Sequence, residues 1–223
     1  STNGKSPLRS VTENKLVISK KYFAYLIFLL STSLLCLKSF QEVNINNIKI
    51  YGTDFINQEI ILKNSTLLLP KELIHIKTKK HEVELKENLS LKNISIRRQL
   101  FPFGLKIFIQ LRDPIAYAEK NDNKKIISGF IDEEGFFIKK EFALLKKDLP
   151  YALKVMGWRK ISQETISKII SAYKKNKDLK RIYISSDDGY IIIEEEKLKK
   201  IYLGNQPEQI DLQLKLIFEI REQ

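Results

Sequence analysis

The chain has 223 residues, 43% of them apolar and 30% charged, with a formal net charge of +12 at pH 7. That length holds one medium domain or two small ones, and the apolar fraction is that of a chain that folds. The basic excess is interleaved with acidic residues throughout, as a compositional bias spreads it, and so argues against nucleic acid as a specific partner; the single thiol, Cys36, excludes an intramolecular disulfide framework.

The first 19 residues are polar and are expected to be irregular. Tyr22 to Leu37 then runs without a charge, a glycine or a proline. As a helix it covers roughly 24 Å at 1.5 Å per residue, slightly short of the ~30 Å hydrocarbon core of a bilayer. Lys20, Lys21 and Lys38 bracket it, and their long stems can reach the headgroups and extend the span. A buried core helix would show a polar face, and a cleaved signal peptide would end in small residues. The segment offers neither, so it is expected to be an uncleaved membrane anchor. Five basic residues against Glu13 precede it, which places the N-terminus in the cytoplasm and the C-terminal bulk across the membrane.

Beyond the anchor, Val43 to Tyr51 alternates apolar and polar residues and predicts a strand ended by Gly52. Thr53 or Asp54 is expected to cap a helix reaching Lys63, with Ile56, Ile60 and Ile61 inward. A second helix is predicted over Thr78 to Asn88 with Val83 and Leu85 as its apolar residues. Two strands come next, Lys92 to Arg98 and Leu105 to Arg112, reversed through Gln99-Leu-Phe-Pro-Phe-Gly104.

Four short stretches in that order carry a resemblance. Ile50-Tyr51-Gly52 opens the unit. Ile94-Ser-Ile-Arg-Arg98, Phe101-Pro102 and Leu105-Lys-Ile107 form its hairpin. Arg112-Asp-Pro-Ile-Ala116 marks its boundary, and Ile131-Asp132-Glu-Glu-Gly135-Phe-Phe137 forms the turn that opens a second, strand-rich domain. Together they resemble a POTRA (polypeptide-transport-associated) domain, in its membrane-anchored version from the cell-division family FtsQ/DivIB. Leu111 departs from the pattern, since the family has a glutamate there.

The second half predicts strands at Ala116 to Ala118 and Lys125 to Phe130 around a polar loop, Glu119 to Lys124, then a turn at Gly135 with Phe136 to Ile138 returning. Ser162 to Lys175 is predicted as a helix capped by Ser162, with Ile166, Ile169, Ile170 and Tyr173 on one face. Strands Lys180 to Ser185 and Tyr190 to Glu194 are joined across Asp187-Asp188-Gly189, and Lys199 to Leu203 is a third. A last helix runs from Pro207 to Glu222 and presents Ile210, Leu214, Ile217 and Phe218. The family continues past this helix with a further strand bearing an Asp-Leu-Arg-like motif, and the sequence stops at Gln223 before one.

The expected architecture is therefore α+β: a cytoplasmic tail over 1–21, one transmembrane helix over 22–37, a POTRA-like β-α-α-β-β domain over 43–113 and a mixed, strand-rich domain over 114–223. No catalytic, cofactor or metal site is expected. His75 and His81 are six residues apart, poor spacing for one helix face, and no nucleophile has a base beside it. The acidic runs and the basic run Lys77, Lys79, Lys80 read as solvated surface, the latter with headgroups or wall polymers as the alternative. The resemblance implies a non-enzymatic scaffold at the division site of a bacterial inner membrane. Its partners there are small single-span proteins of the FtsB and FtsL type, with no small-molecule substrate. The alternative is a POTRA component of protein export that binds extended chains. Either mode uses an exposed strand edge, for which Lys199, Ile201, Tyr202 and Leu203 are the candidates.

Overall fold

The computed structural model describes residues 8–122, 125–143, 153–174, 178–185, 188–204 and 206–222, with side chains from residue 21 to residue 221. The tail residues 1–7, Lys124, Lys175 and Asp187 lie outside the described residues, as does the side chain of Lys20, and the expectations for them go no further.

A single helix, α1 (Leu8–Ser39), contains the apolar stretch. Its Lys21–Ser39 portion is long and apolar enough to cross a membrane, and none of it is buried against the rest of the protein. The helix begins well before the expected anchor, within the segment expected to be irregular. Once a helix exists, each added residue gains a hydrogen bond without a new nucleation cost, so a mildly apolar flank such as Leu16-Val17-Ile18 is drawn into it.

The strand expected over Val43 to Tyr51 is divided. β1 (Glu42–Val43) and β2 (Ile48–Tyr51) are separated by a 3-10 turn, Ile45–Asn47. The Asn44 N–H donates to the Asn47 side chain at 3.0 Å and holds the break. The short α2 (Gln58–Lys63) is capped by Asn57, whose side chain accepts from the Ile60 N–H at 2.9 Å, not by Thr53 or Asp54. β3 (Lys71–Glu72) pairs with β1, and α3 (Thr78–Asn88) comes after it. Leu85 is the core residue of α3, whereas Val83 is 63% exposed; His81 and Glu82 occupy the inner face with Leu85. Glu82 can be there because the Ile96 N–H donates to it at 2.7 Å and Lys79 lies 2.9 Å away.

β4 (Asn93–Leu100) and β5 (Phe103–Gln110) form the expected hairpin, and β2 joins β5 in parallel, giving the order β2-β5-β4. Ile48, Ile61, Ile76, Leu85, Leu89, Leu91, Leu105 and Ile107 fill the core between sheet and helices. This is a strand-helix-helix-strand-strand unit with one buried face.

A seven-stranded sheet makes up the rest. β6 (Ala116–Asp122) and β7 (Lys125–Ile131) form one hairpin, and β8 (Phe137–Lys139) pairs back onto β7. The polar residues Glu119 to Asp122 belong to β6, not to a loop, because they stand opposite Ser128 to Lys125 and carry the ladder out to the turn end of the hairpin. β9 (Lys154–Trp158) lies parallel to β6 on one side and to β10 (Leu179–Ile184) on the other. β11 (Ile191–Glu195) and β12 (Lys199–Leu203) complete the order β12-β11-β10-β9-β6-β7-β8. α4 (Gln163–Tyr173) and α5 (Ile210–Glu222) cover one face. Ile166, Ile169, Ile210 and Leu214 there meet Val155, Ile182, Ile193 and Leu203. Ser162 precedes α4 without capping it; its hydroxyl donates to the Arg159 carbonyl at 2.9 Å and closes the 3-10 turn ahead of the helix.

Candidate partner-binding edge

β12 is the outer strand of the seven-stranded sheet. Glu195 to Ile191 pair with Lys199 to Leu203 on its inner side, and no strand pairs with its outer side among the described residues. The four candidate residues are therefore together on one edge strand, but they present different things. Leu203 is 2% exposed and part of the core, so only its backbone reaches the edge. Ile201 is half-buried against the same core. Tyr202 is 73% exposed on the opposite face, which α4 and α5 leave open. Lys199 has φ of 66°, a left-handed backbone at the β11–β12 turn that a side chain adopts at some cost.

Two cross-strand rows end at this edge. Met156, Tyr183, Ile192 and Tyr202 stand side by side across β9, β10, β11 and β12. One pleat further on, Lys154, Arg181, Glu194 and Lys200 form a second row, with Arg181 and Glu194 3.2 Å apart and the sign of charge alternating from Arg181 to the edge. Residues of both rows line a shallow depression of about 300 Å³ on the open face. Of these residues the sequence pattern singles out only Tyr202. Alternation in Arg181-Ile-Tyr183-Ile carries the signal for Tyr183, because Ile182 and Ile184 are the core-facing pair.

The sheet is held to the smaller unit by a polar junction. Arg112 lies just beyond β5. Its Nε donates to the Leu91 carbonyl at 3.2 Å, and its Nη1 donates to Asp132 and, at 2.9 Å, to Glu134. Its guanidinium lies 3.9 Å from the centre of the Phe136 ring. Asp132 also accepts from the N–H groups of Glu134 and Phe136 at 3.0 and 2.9 Å, so it forms the turn and receives the arginine at once. The Arg112 hydrogen bond holds the Glu134 carboxyl below its ordinary range, against a smaller opposing effect of desolvation. Leu111, where the resemblance has a glutamate, packs at the margin of the smaller core instead. Lys139 adds a hydrogen bond to the Asn88 carbonyl at 3.1 Å. Two motifs that are merely successive in the sequence, Arg112-Asp-Pro and Asp132-Glu-Glu-Gly, are in direct contact.

His81 lies beside Glu84 at 3.3 Å and His75 beside Glu72 at 2.9 Å, each a local helix or turn contact. Among the described residues no three His, Cys, Asp or Glu side chains are grouped as a metal site would need.

A helix long and apolar enough to cross a membrane, a small three-stranded unit and a larger sheet whose outer strand is unpaired among the described residues define the class: a POTRA-containing protein. Residues 43–112 match the POTRA domain, FtsQ-type, so the chain carries that domain and is FtsQ/DivIB-like. No curated protein matches the chain.

Proposed function

We propose that the chain is a non-enzymatic scaffold of the bacterial division machinery, with α1 in the inner membrane and both β-rich units outside the cytoplasm. Five basic residues against one acidic residue ahead of the apolar span support that direction. The scaffold links early division proteins to septal wall-synthesis proteins through extracytoplasmic contacts, with small single-span proteins of the FtsB and FtsL type as partners. The observation that carries the reading is the outer side of β12, unpaired among the described residues, on a chain with an FtsQ-type POTRA domain. A partner segment added there gains backbone hydrogen bonds from the edge and side-chain discrimination from the two rows behind it. Next to Tyr202 the row favours an apolar or aromatic side chain. Next to Lys200, two residues away, it favours an acidic one.

A fluorescent fusion in dividing cells tests the role: enrichment at midcell is expected, and uniform membrane signal would sink it. Crosslinking from position 202 identifies what pairs. Small single-span proteins support the reading, whereas outer-membrane precursors would turn it into one of export.

A further inference from the structure

Edge pairing leaves the membrane-facing end of the POTRA domain unexplained. Only Phe40 and Gln41 separate α1 from β1. Both are tied down: their N–H groups donate to the Leu37 and Lys38 carbonyls at 3.3 and 3.2 Å, and the Leu73 N–H donates to the Gln41 carbonyl at 3.1 Å. The Lys38 ammonium stands 3.9 Å from the centre of the Phe101 ring at the β4–β5 turn. With Lys38 at the end of a membrane span, Phe101 is fixed at the membrane–water boundary.

Apolar and cationic groups gather at that end. Phe40 is 56% exposed, Phe101 62%, and Ile74 is exposed on the turn after β3, next to the Leu73 that is bonded to the linker. The start of α3 is at the same end, since Arg98 donates to the Ile76 carbonyl at 2.6 Å. That start carries Lys77, Lys79 and Lys80, and no acidic residue in its first turn. Helix N-termini carry positive partial charge and are stabilised by anions, so three lysines there oppose the stability of the domain in water. The acids nearby are Glu82, paired with Lys79, Glu72, paired with His75, Glu42 on β1, and Glu84, one turn beyond Lys80 but taken up by Thr66 and His81. Lys77 and Lys80 have no ion-pair partner among the described residues. A local rule broken on the surface that the anchor turns toward the bilayer points to an anionic counter-surface.

We infer that this end of the domain docks on the bilayer that α1 crosses, with Phe40, Ile74 and Phe101 in the headgroup layer and Lys77 and Lys80 on anionic lipid headgroups. The inference rests on α1 being a membrane anchor. It makes the POTRA domain a seated body with a fixed face toward the lipid, not one suspended from a tether.

The full chain in vesicles of zwitterionic phospholipid, with or without phosphatidylglycerol, tests it by spin-label accessibility to a water-soluble relaxant. A label on native Cys36 reports insertion of α1. A label on Phe101→Cys in a Cys36→Ser background reports docking, and one on Ile126→Cys, far along the sheet domain, gives the fully wetted reference. Severalfold lower accessibility at 101 than at 126 in phosphatidylglycerol vesicles is expected, with loss of that difference in the Lys77→Gln, Lys80→Gln variant. Equal accessibility at 101 and 126 while the Cys36 label is shielded overturns docking. Shielding at 101 that is unchanged without phosphatidylglycerol and in the double variant overturns the role of the lysines. A wetted Cys36 label instead overturns the anchor itself. Shielding at 101 that arises only on addition of a soluble membrane-protein extract assigns the face to a protein and overturns the lipid.

Discussion

The Arg112 guanidinium meets a backbone carbonyl, two carboxylates and an aromatic face, and both it and Asp132 are buried. Removing one member of such a pair leaves the other as an uncompensated buried charge, which costs about 3–5 kcal/mol. Arg112→Met is therefore expected to lower unfolding stability by about that amount in denaturant titrations, while a change at exposed Val83 leaves it within about 0.5 kcal/mol. Glu134 adds a pH dependence whose sign follows from its lowered pKa. A depressed carboxylate contributes stability above its unfolded value and loses it as pH falls through the folded value. The junction is thus expected to hold unchanged down to the ordinary value of 4.5 and to weaken below it. Glu134→Gln removes that acid limb, and a denaturation midpoint followed against pH reads it. Gly52 makes a different demand. Its φ is +99°, and a Cβ there would strike the Ile109 carbonyl of β5. Gly52→Ala is expected to cost about 2 kcal/mol or more, read from the thermal midpoint.

At the scale of elements, α5 is secured through its last turn. Arg221 approaches Asp178 and lies 3.9 Å from Glu195, a buried carboxylate at the end of β11. Arg221→Ala is expected to destabilise by about 3 kcal/mol because Glu195 cannot reach water; hydrogen exchange should then quicken first in α5 and the β11–β12 hairpin. Elements with a strong period are legible in the sequence: the β4–β5 hairpin, α4, α5 and the strands from β10 onward, whereas α3 is legible in extent but not in its inner face, which His81 and Glu82 share with Leu85. Those fixed by contacts distant in sequence are not. Lys154-Val-Met-Gly-Trp158 shows no alternation, yet it becomes β9 because β6 and β10 flank it in parallel and Gly157 can take φ of +76°. The break between β1 and β2 depends on an asparagine hydrogen bond that mimics a helix start, so the apolar alternation across it misleads. The edge strand of the candidate site is legible, but the open face behind it is not. Which side of a strand stays bare depends on where α4 and α5 pack, and a single sequence does not carry that placement.

For the whole molecule, the two main cores and the small cluster of Phe130, Ile138 and Ala143 are built, among the described residues, from Val43 onward, and α1 contributes no residue to them. A fragment starting at Phe40 is therefore expected to fold without α1, with the same denaturant midpoint as the full chain in mild detergent. A lower midpoint for the fragment would mean that α1 does stabilise the domains. Separate cores also mean that stability and position have different sources: the apolar interiors hold each unit, while the Arg112 cluster, Lys139 on the Asn88 carbonyl and Phe142 at the margin of the smaller core set how they meet.

The two-residue link after α1 has a mechanical consequence. Phe40 and Gln41 bring only about four soft dihedrals between a long apolar helix and a folded sheet, and hydrogen bonds from both sides restrain them. Helix and domain then behave like a crank on a shaft. Rotation of α1 about its own axis sweeps the β12 edge around that axis, so whatever turns the helix selects which direction that edge faces.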